Sequence, residues 1–419
     1  MEDKTEFSGK NLARPLTFLE RQKAVEELCA KHLKLFLSAR KSGRQIAQEI
    51  ARAIRPALFG ANRSVKNPVA DSNQYFWNIL SDAEGANRIR IRQGRSAEWE
   101  ALLEGNFPIL RGGGARVVDC WGNHFKDTAE KVARAAAEEF LACLQDVLES
   151  KKSARRDGIH IGVVGGNTCR RTYKSLSGMD LKDYIDTRLL SVPISFYALN
   201  AIQLDEWPNP KARTPEYHNS QAPVIAANFA EFFQAHVLDQ KEIHCLAFSG
   251  PAFGVEEERA RFLAYNKNVL DVTDPGQFKN SPVKGGGSKL DIVIMGLGPR
   301  PVEPDSSVFA SMLSQKERND LKKENCVGDV MLYPIDKEGK TISLGKRRPL
   351  AAVRPETLRA LAGDRYKHVM VVAFNDIHLD KTDVIRAVLR ENPIANRLVT
   401  SDETVAAFEQ MNKRQRDRD

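Results

Sequence analysis

Six cysteines in 419 residues, at Cys29, Cys120, Cys143, Cys169, Cys245 and Cys326, are too scattered to form a CxxC pair or any other metal spacing. They exclude a disulfide scaffold and read as reduced core or pocket residues of a cytoplasmic protein. No apolar run approaches the roughly 18–20 residues that span a bilayer, so no membrane segment is expected. Met1 to Lys10 is polar and charged and lacks the apolar stretch of a secretory leader. Neither a GxGxxG nor a Walker phosphate loop occurs, and no internal repeat is present. No metal and no cofactor is expected.

Charge is unevenly spread. From His32 to Arg95 there are 12 lysines and arginines against four acids, an excess equal to the whole net charge of +8. A local basic excess points to a polyanionic partner. Within or beside it, Leu16–Arg40, Arg44–Ile54 and Val69–Leu80 carry helical patterns, and Pro56 stops the second. Arg88-Ile89-Arg90-Ile91-Arg92 alternates with the period of a strand. Three helices and a basic strand predict a winged helix-turn-helix-like domain over residues 1–96. Its recognition helix would present Ser72, Asn73 and Gln74 to base edges, with Arg88, Arg90 and Arg92 as wing contacts to phosphates. Arg44, Arg63 and Lys66 complete the DNA-binding candidates. The connection from Pro56 to Pro68 is long for a turn of about 3–4 residues.

Residues 97–156 read as a linker with a long amphipathic helix over Thr128–Ser150, and a short strand is predicted at Ala115–Cys120. From residue 157 to 412 the texture changes. Short apolar runs at Ile159–Val164, Ile194–Leu204, Ile243–Phe248, Leu290–Met295, His368–Ala373 and Arg397–Thr400 alternate with helical stretches. That pattern predicts a doubly wound, mainly parallel α/β domain. Residues 413–419 alternate in charge and predict a disordered tail.

Ligands of such sheets bind outside the carboxyl ends of the strands. The first run ends in Gly165-Gly166-Asn167-Thr168, where close backbone approach, a hydroxyl and a following helix suit an anion. The run at Ile292–Met295 ends in a second glycine turn, Gly296-Leu297-Gly298. Asp329 follows Val327-Gly328 and offers a carboxylate to sugar hydroxyls. Lys381 opens a helix after Ala373-Phe374-Asn375-Asp376, a place unfavourable for a cation unless an anion is near.

The order of these motifs resembles the sugar-binding domain of SorC/DeoR-type transcriptional regulators. The stretches that carry the resemblance are IGVVGGNT (Ile161–Thr168), AFSGPAFG (Ala247–Gly254), DIVIMGLG (Asp291–Gly298), VGDVMLYPIDKEGK (Val327–Lys340) and Val371–Phe408. The resemblance implies the fold of glucosamine-phosphate deaminases and ribose-phosphate isomerases. It assigns Gly166, Asn167, Thr168 and Lys381 to a phosphate, and Asp329 to a sugar. It also implies a DNA operator as partner, a phosphorylated sugar as effector, and a homo-oligomer, dimer or tetramer.

One motif leaves catalysis open. Leu204-Asp205-Glu206-Trp207 is similar to the Asp-Glu-aromatic motif of sugar-phosphate deaminases and lactonases. A catalytic Asp needs a helper that tunes it, and Pro299 to Ser307 contains no histidine in the deaminase position. Asp205 is therefore read as a ligand contact, and the chain as a regulator rather than an enzyme. The alternatives are a sugar-phosphate isomerase or deaminase using Asp205, and a metabolite sensor whose N-terminal part binds protein.

Overall fold

The computed structural model describes residues 90–110, 112–120, 125–150, 158–186, 192–200, 219, 221–236, 243–278, 287–301, 307–375, 380–390 and 392–416. By chain contacts the molecule divides into Met1–Trp99 with Trp121–Asn123, and Glu100–Cys120 with His124–Asp419. In the first unit only residues 90–99 are described, as the start of a helix. The elements are α1 (Arg90–Asn106), β1 (Ala115–Val118), α2 (Phe125–Ser150), β2 (Ile159–Val163), α3 (Asn167–Leu176), β3 (Ile194–Ala198), α4 (Ala222–His236), β4 (Ile243–Leu246) and β5 (Phe253–Gly254). They continue with α5 (Glu256–Tyr265), α6 (Lys267–Thr273), β6 (Ile292–Met295), α7 (Val308–Ser311), α8 (Gln315–Lys323), β7 (Gly328–Val330), β8 (Tyr333–Ile335) and β9 (Arg348–Pro349). The last are α9 (Pro355–Ala362), β10 (His368–Val372), α10 (Thr382–Leu389), β11 (Arg397–Ser401) and α11 (Asp402–Arg416).

Each of the six apolar runs contains a strand. These strands and β1 form one seven-stranded sheet in the order β1-β11-β10-β6-β2-β3-β4. All its pairings are parallel. The central strands are apolar on both faces because both faces are covered. Ile292, Ile294, Met370 and Val372 pack into a core with α2, α3 and α4, while the alternate residues Val293, Met295, Val369 and Val371 are buried too. The helical periodicity over Thr128–Ser150 becomes α2, which begins slightly earlier, at Phe125. On α2, Phe140 is fully buried, its ring 5.5 Å from that of Phe229 and 6.2 Å from that of Phe233, both edge-on. Burying one such ring is worth about 1.5–3 kcal/mol against leaving it in water. Two small antiparallel pairs, β5 with β9 and β7 with β8, stand outside the main sheet.

Two expectations are corrected. The alternation at Arg88–Arg92 predicts a strand, but Arg90 and Arg92 lie in the first turn of α1. A helix already formed over the apolar residues downstream extends at low cost, because each added residue gains a hydrogen bond and Arg is a good helix former. Five residues of alternation are too short to outweigh that. The last helix runs through Arg416, into the segment that composition marks as disordered. Arg44, Arg63, Lys66, Ser72, Asn73, Gln74 and Arg88 lie outside the described residues, as does Asp205.

Among the described residues, no helix is long and apolar enough to cross a membrane, and no group of histidine, cysteine and carboxylate side chains is placed to hold a metal. The described cysteines are free thiols, buried except for Cys245.

Candidate functional site

The site lies at the carboxyl ends of the central strands. β2 leads into Gly165 and Gly166 and then into α3. Gly166 caps α3 at φ 130° and ψ 158°, a backbone state that a side chain disfavours. No side chain caps this helix end, so its first N–H groups point outward and carry the positive end of the helix dipole. Asn167 is exposed and Thr168 half-buried at that end. The Gly165 N–H donates to Asn200 Oδ1 at 2.8 Å, which fixes the turn to the end of β3.

The second glycine turn faces the first. A Cβ on Gly296 would lie 3.7 Å from Thr168 Oγ1 and 3.9 Å from the Val372 carbonyl, so the ends of β2, β6 and β10 meet there. Two residues on, Gly298 exchanges backbone hydrogen bonds with Asp329, at 3.0 and 3.2 Å. A Cβ on Gly298 would fall onto the Asp329 carboxylate, so only glycine lets that side chain lie across the turn. β7 thus brings Asp329 to the strand ends although it belongs to a separate hairpin.

Asp329 is buried, 7% exposed. Its Oδ2 accepts the Leu332 N–H at 3.2 Å. Its Oδ1 is buried with no hydrogen-bond partner among the described residues. Burial pushes this carboxyl up to about 7, against the pull of the Leu332 N–H bond and of the Lys381 charge. The same lysine lowers the Cys169 thiol, which burial nonetheless holds up at about 12. Lys381 is therefore within electrostatic reach of both Cys169 on α3 and Asp329.

Lys381 is placed by a local network. It occupies the N-cap of α10. Its N–H donates to Asn375 Oδ1 at 2.7 Å, and Asn375 Nδ2 donates to Thr382 Oγ1 at 2.8 Å. Thr404 Oγ1 accepts the Asn375 N–H at 2.8 Å. On α3, Arg170 Nε is buried without a partner among the described residues.

The structure thus brings together Gly165, Gly166, Asn167, Thr168, Gly296, Gly298, Asp329 and Lys381, all named from the sequence. Asp205 is outside the described residues. Asn200 and Thr404 escape sequence reasoning, since their only signal is a position just after a strand. The arrangement offers helix N–H groups, a hydroxyl and an ammonium to an oxyanion, and a buried carboxyl oxygen to a hydroxyl.

Residues 281–408 match the family described as "Putative sugar-binding domain". Among solved structures, the full-length sorbitol operon regulator SorC from Klebsiella pneumoniae has a TM-score of 0.53 at 14% identity, over 86% of this chain and 98% of that one. The probable sor operon regulator from Shigella flexneri gives 0.51 at 15% identity, over 75% and 98%. A transcriptional regulator from Streptococcus pneumoniae gives 0.51 at 16% identity, over 77% and 99%. No curated protein sequence matches the chain. At these identities the structural likeness establishes a shared fold, and the family match places the sugar-binding-domain sequence on β6, β7, β10 and β11.

Proposed function

We propose that this chain, whose residues 281–408 carry the sugar-binding-domain match, is a SorC/DeoR-type transcriptional regulator controlled by a phosphorylated sugar. The observation that carries the reading is the convergence of the uncapped α3 N-terminus, Lys381 and the unpartnered Asp329 oxygen at one end of the sheet. The phosphate would sit on Gly166, Asn167 and Thr168 with Lys381 over it, and a sugar hydroxyl would donate to Asp329 Oδ1. A hydroxyl bonded there favours the ionised carboxylate, so binding near neutral pH would release a proton.

Binding in this crevice would be coupled to operator affinity through the packing of a homo-oligomer. The basic segment between His32 and Arg95, including Arg44, Arg63, Lys66, Arg88, Arg90 and Arg92, supports DNA as the partner in the cytoplasm. The chain is read as a sensor rather than an enzyme. Asp205 has no histidine after the second glycine turn to tune it, and the fold is shared with regulators.

The test is a thermal-shift screen of phosphorylated sugars on the full chain. A ligand at about 100 Kd should stabilise by roughly 2.7 kcal/mol. The unphosphorylated sugar should not. Mobility-shift assays on the native upstream DNA at rising salt test the other half, with binding expected to weaken steeply as salt increases. Sugar phosphates that are turned over, with the turnover lost in Asp205→Asn, would replace the regulator reading by an enzymatic one.

A further inference from the structure

A second cluster of cations lies just beyond the second glycine turn, on the segment between β6 and β7. A cavity of about 140 Å³ is formed where the chain leaving β6 at Arg300 and Pro301 meets one face of α8. Gln315, Arg318, Asn319 and Lys322 line it at helical spacing, with Cys326 beyond the helix end. Three cations, Arg300, Arg318 and Lys322, face this space, and no acid is among its described lining residues.

Arg318 gives the cavity its chemistry. The residue is 9% exposed, an unusual position for a guanidinium. Its Nη1 donates to the carbonyls of Leu313 and Ala310, and its Nη2 to Gln315 Oε1 at 2.8 Å. Its Nε is buried and has no partner among the described residues. The guanidinium is therefore held by neutral acceptors, with no acid paired to it among the described residues and its Nε–H unused. A buried cation in that state is costly without an anion. Arg300 and Lys322, both exposed, form no ion pair among the described residues, while Lys323 on the next position of α8 does pair, with Asp320 at 3.3 Å. The volume suits a tetrahedral oxyanion and a few waters, at about 30 Å³ per water.

The geometry points to an oxyanion site of the phosphate class in this cavity, anchored by Arg318 and completed by Arg300 and Lys322. Its lining shares no residue with the cradle of Thr168 and Lys381, and it does not depend on the regulator reading. It backs onto the strand that carries Asp329, because Cys326 Sγ lies 3.3 Å from the Gly328 carbonyl in a hydrogen bond.

The experiment titrates inorganic phosphate into the full chain labelled with ¹⁵N at arginine Nε. Arg318→Lys identifies the Arg318 signal. The wild-type Arg318 Nε–H is expected to shift with phosphate. In the Arg300→Ala/Lys322→Ala double variant, whose two changes leave the Arg318 bonds intact, the affinity read from that signal should fall about tenfold or more. In Lys381→Ala it should be unchanged. An Arg318 signal that ignores phosphate in the wild type, or an unaltered affinity in the double variant, overturns the proposal. Loss in Lys381→Ala alone would place the bound phosphate in the other cradle and overturn it as well. If sugar phosphates fail to bind while Arg318 still responds to inorganic phosphate, the regulator reading falls and this site stands.

Discussion

The two ends of the sheet are built to different standards. At the amino ends, polar groups are closed against one another. Asp291 accepts the His160 N–H at 2.9 Å through Oδ2, and its backbone bonds bridge His160 and His368 at 2.8 Å each. Asn396 accepts from Val369 N at 2.8 Å and donates to the carbonyls of Lys367 and Ala362. At the carboxyl ends, the uncapped α3, the one bond to the Asp329 carboxylate and the buried Arg170 Nε leave capacity unused among the described residues. Buried polar groups normally find partners, so the asymmetry marks which end stabilises the fold and which end receives a ligand.

The largest effect that would sharpen this contrast is at Asp329. Its carboxyl is raised by burial to about 7, so between about pH 4 and 7 the folded chain holds a proton that the unfolded chain has lost. Stability should therefore fall as pH rises through that window, by an upper estimate of about 4 kcal/mol at this site. Asp329→Asn should remove the slope and be more stable than wild type at pH 8, while losing the effector. Urea midpoints from pH 4 to 8 measure this, and an unchanged slope would place the proton elsewhere.

Next comes Lys381→Ala. It should weaken a phosphorylated effector about 100-fold, or roughly 2.7 kcal/mol, with no more than a small change in the unliganded melting temperature. Asn396→Ala should do the reverse at the other rim. Losing its bonds leaves several backbone groups unpaired and costs about 2 kcal/mol in urea unfolding, while effector affinity measured by calorimetry stays constant. If Asn396→Ala weakens the effector as much as Lys381→Ala does, the division between the two rims fails. The smallest effect is Gly166→Ala. The positive φ there should cost about 1 kcal/mol and displace the α3 N-terminus, weakening the effector more than the fold.

Much of this was legible in the sequence because it is local. Val, Ile and Leu runs of five or so residues become strands wherever helices cover both faces, and the glycines that follow them turn the chain. The strand expected over Arg88–Arg92 is helix at Arg90 and Arg92 for the same reason, since five alternating residues cannot announce a helix nucleated downstream. Asn200 could not be found, because its role is a single bond to a backbone N–H that lies 35 positions earlier.

By itself, then, the chain determined the parallel α/β class, the order of its strands and turns, and the residue types that arrive at the strand ends. Tertiary structure decided what those residues are chemically. Asp329 is a carboxyl titrating near neutrality only because β7 folds across Gly298 and shuts out water. Asp274 is silent in the sequence, yet it is fully buried and held by Arg354, 80 positions away, at 2.9 Å. Hydrophobic periodicity is carried by neighbours in sequence, whereas desolvation and charge depend on neighbours in space.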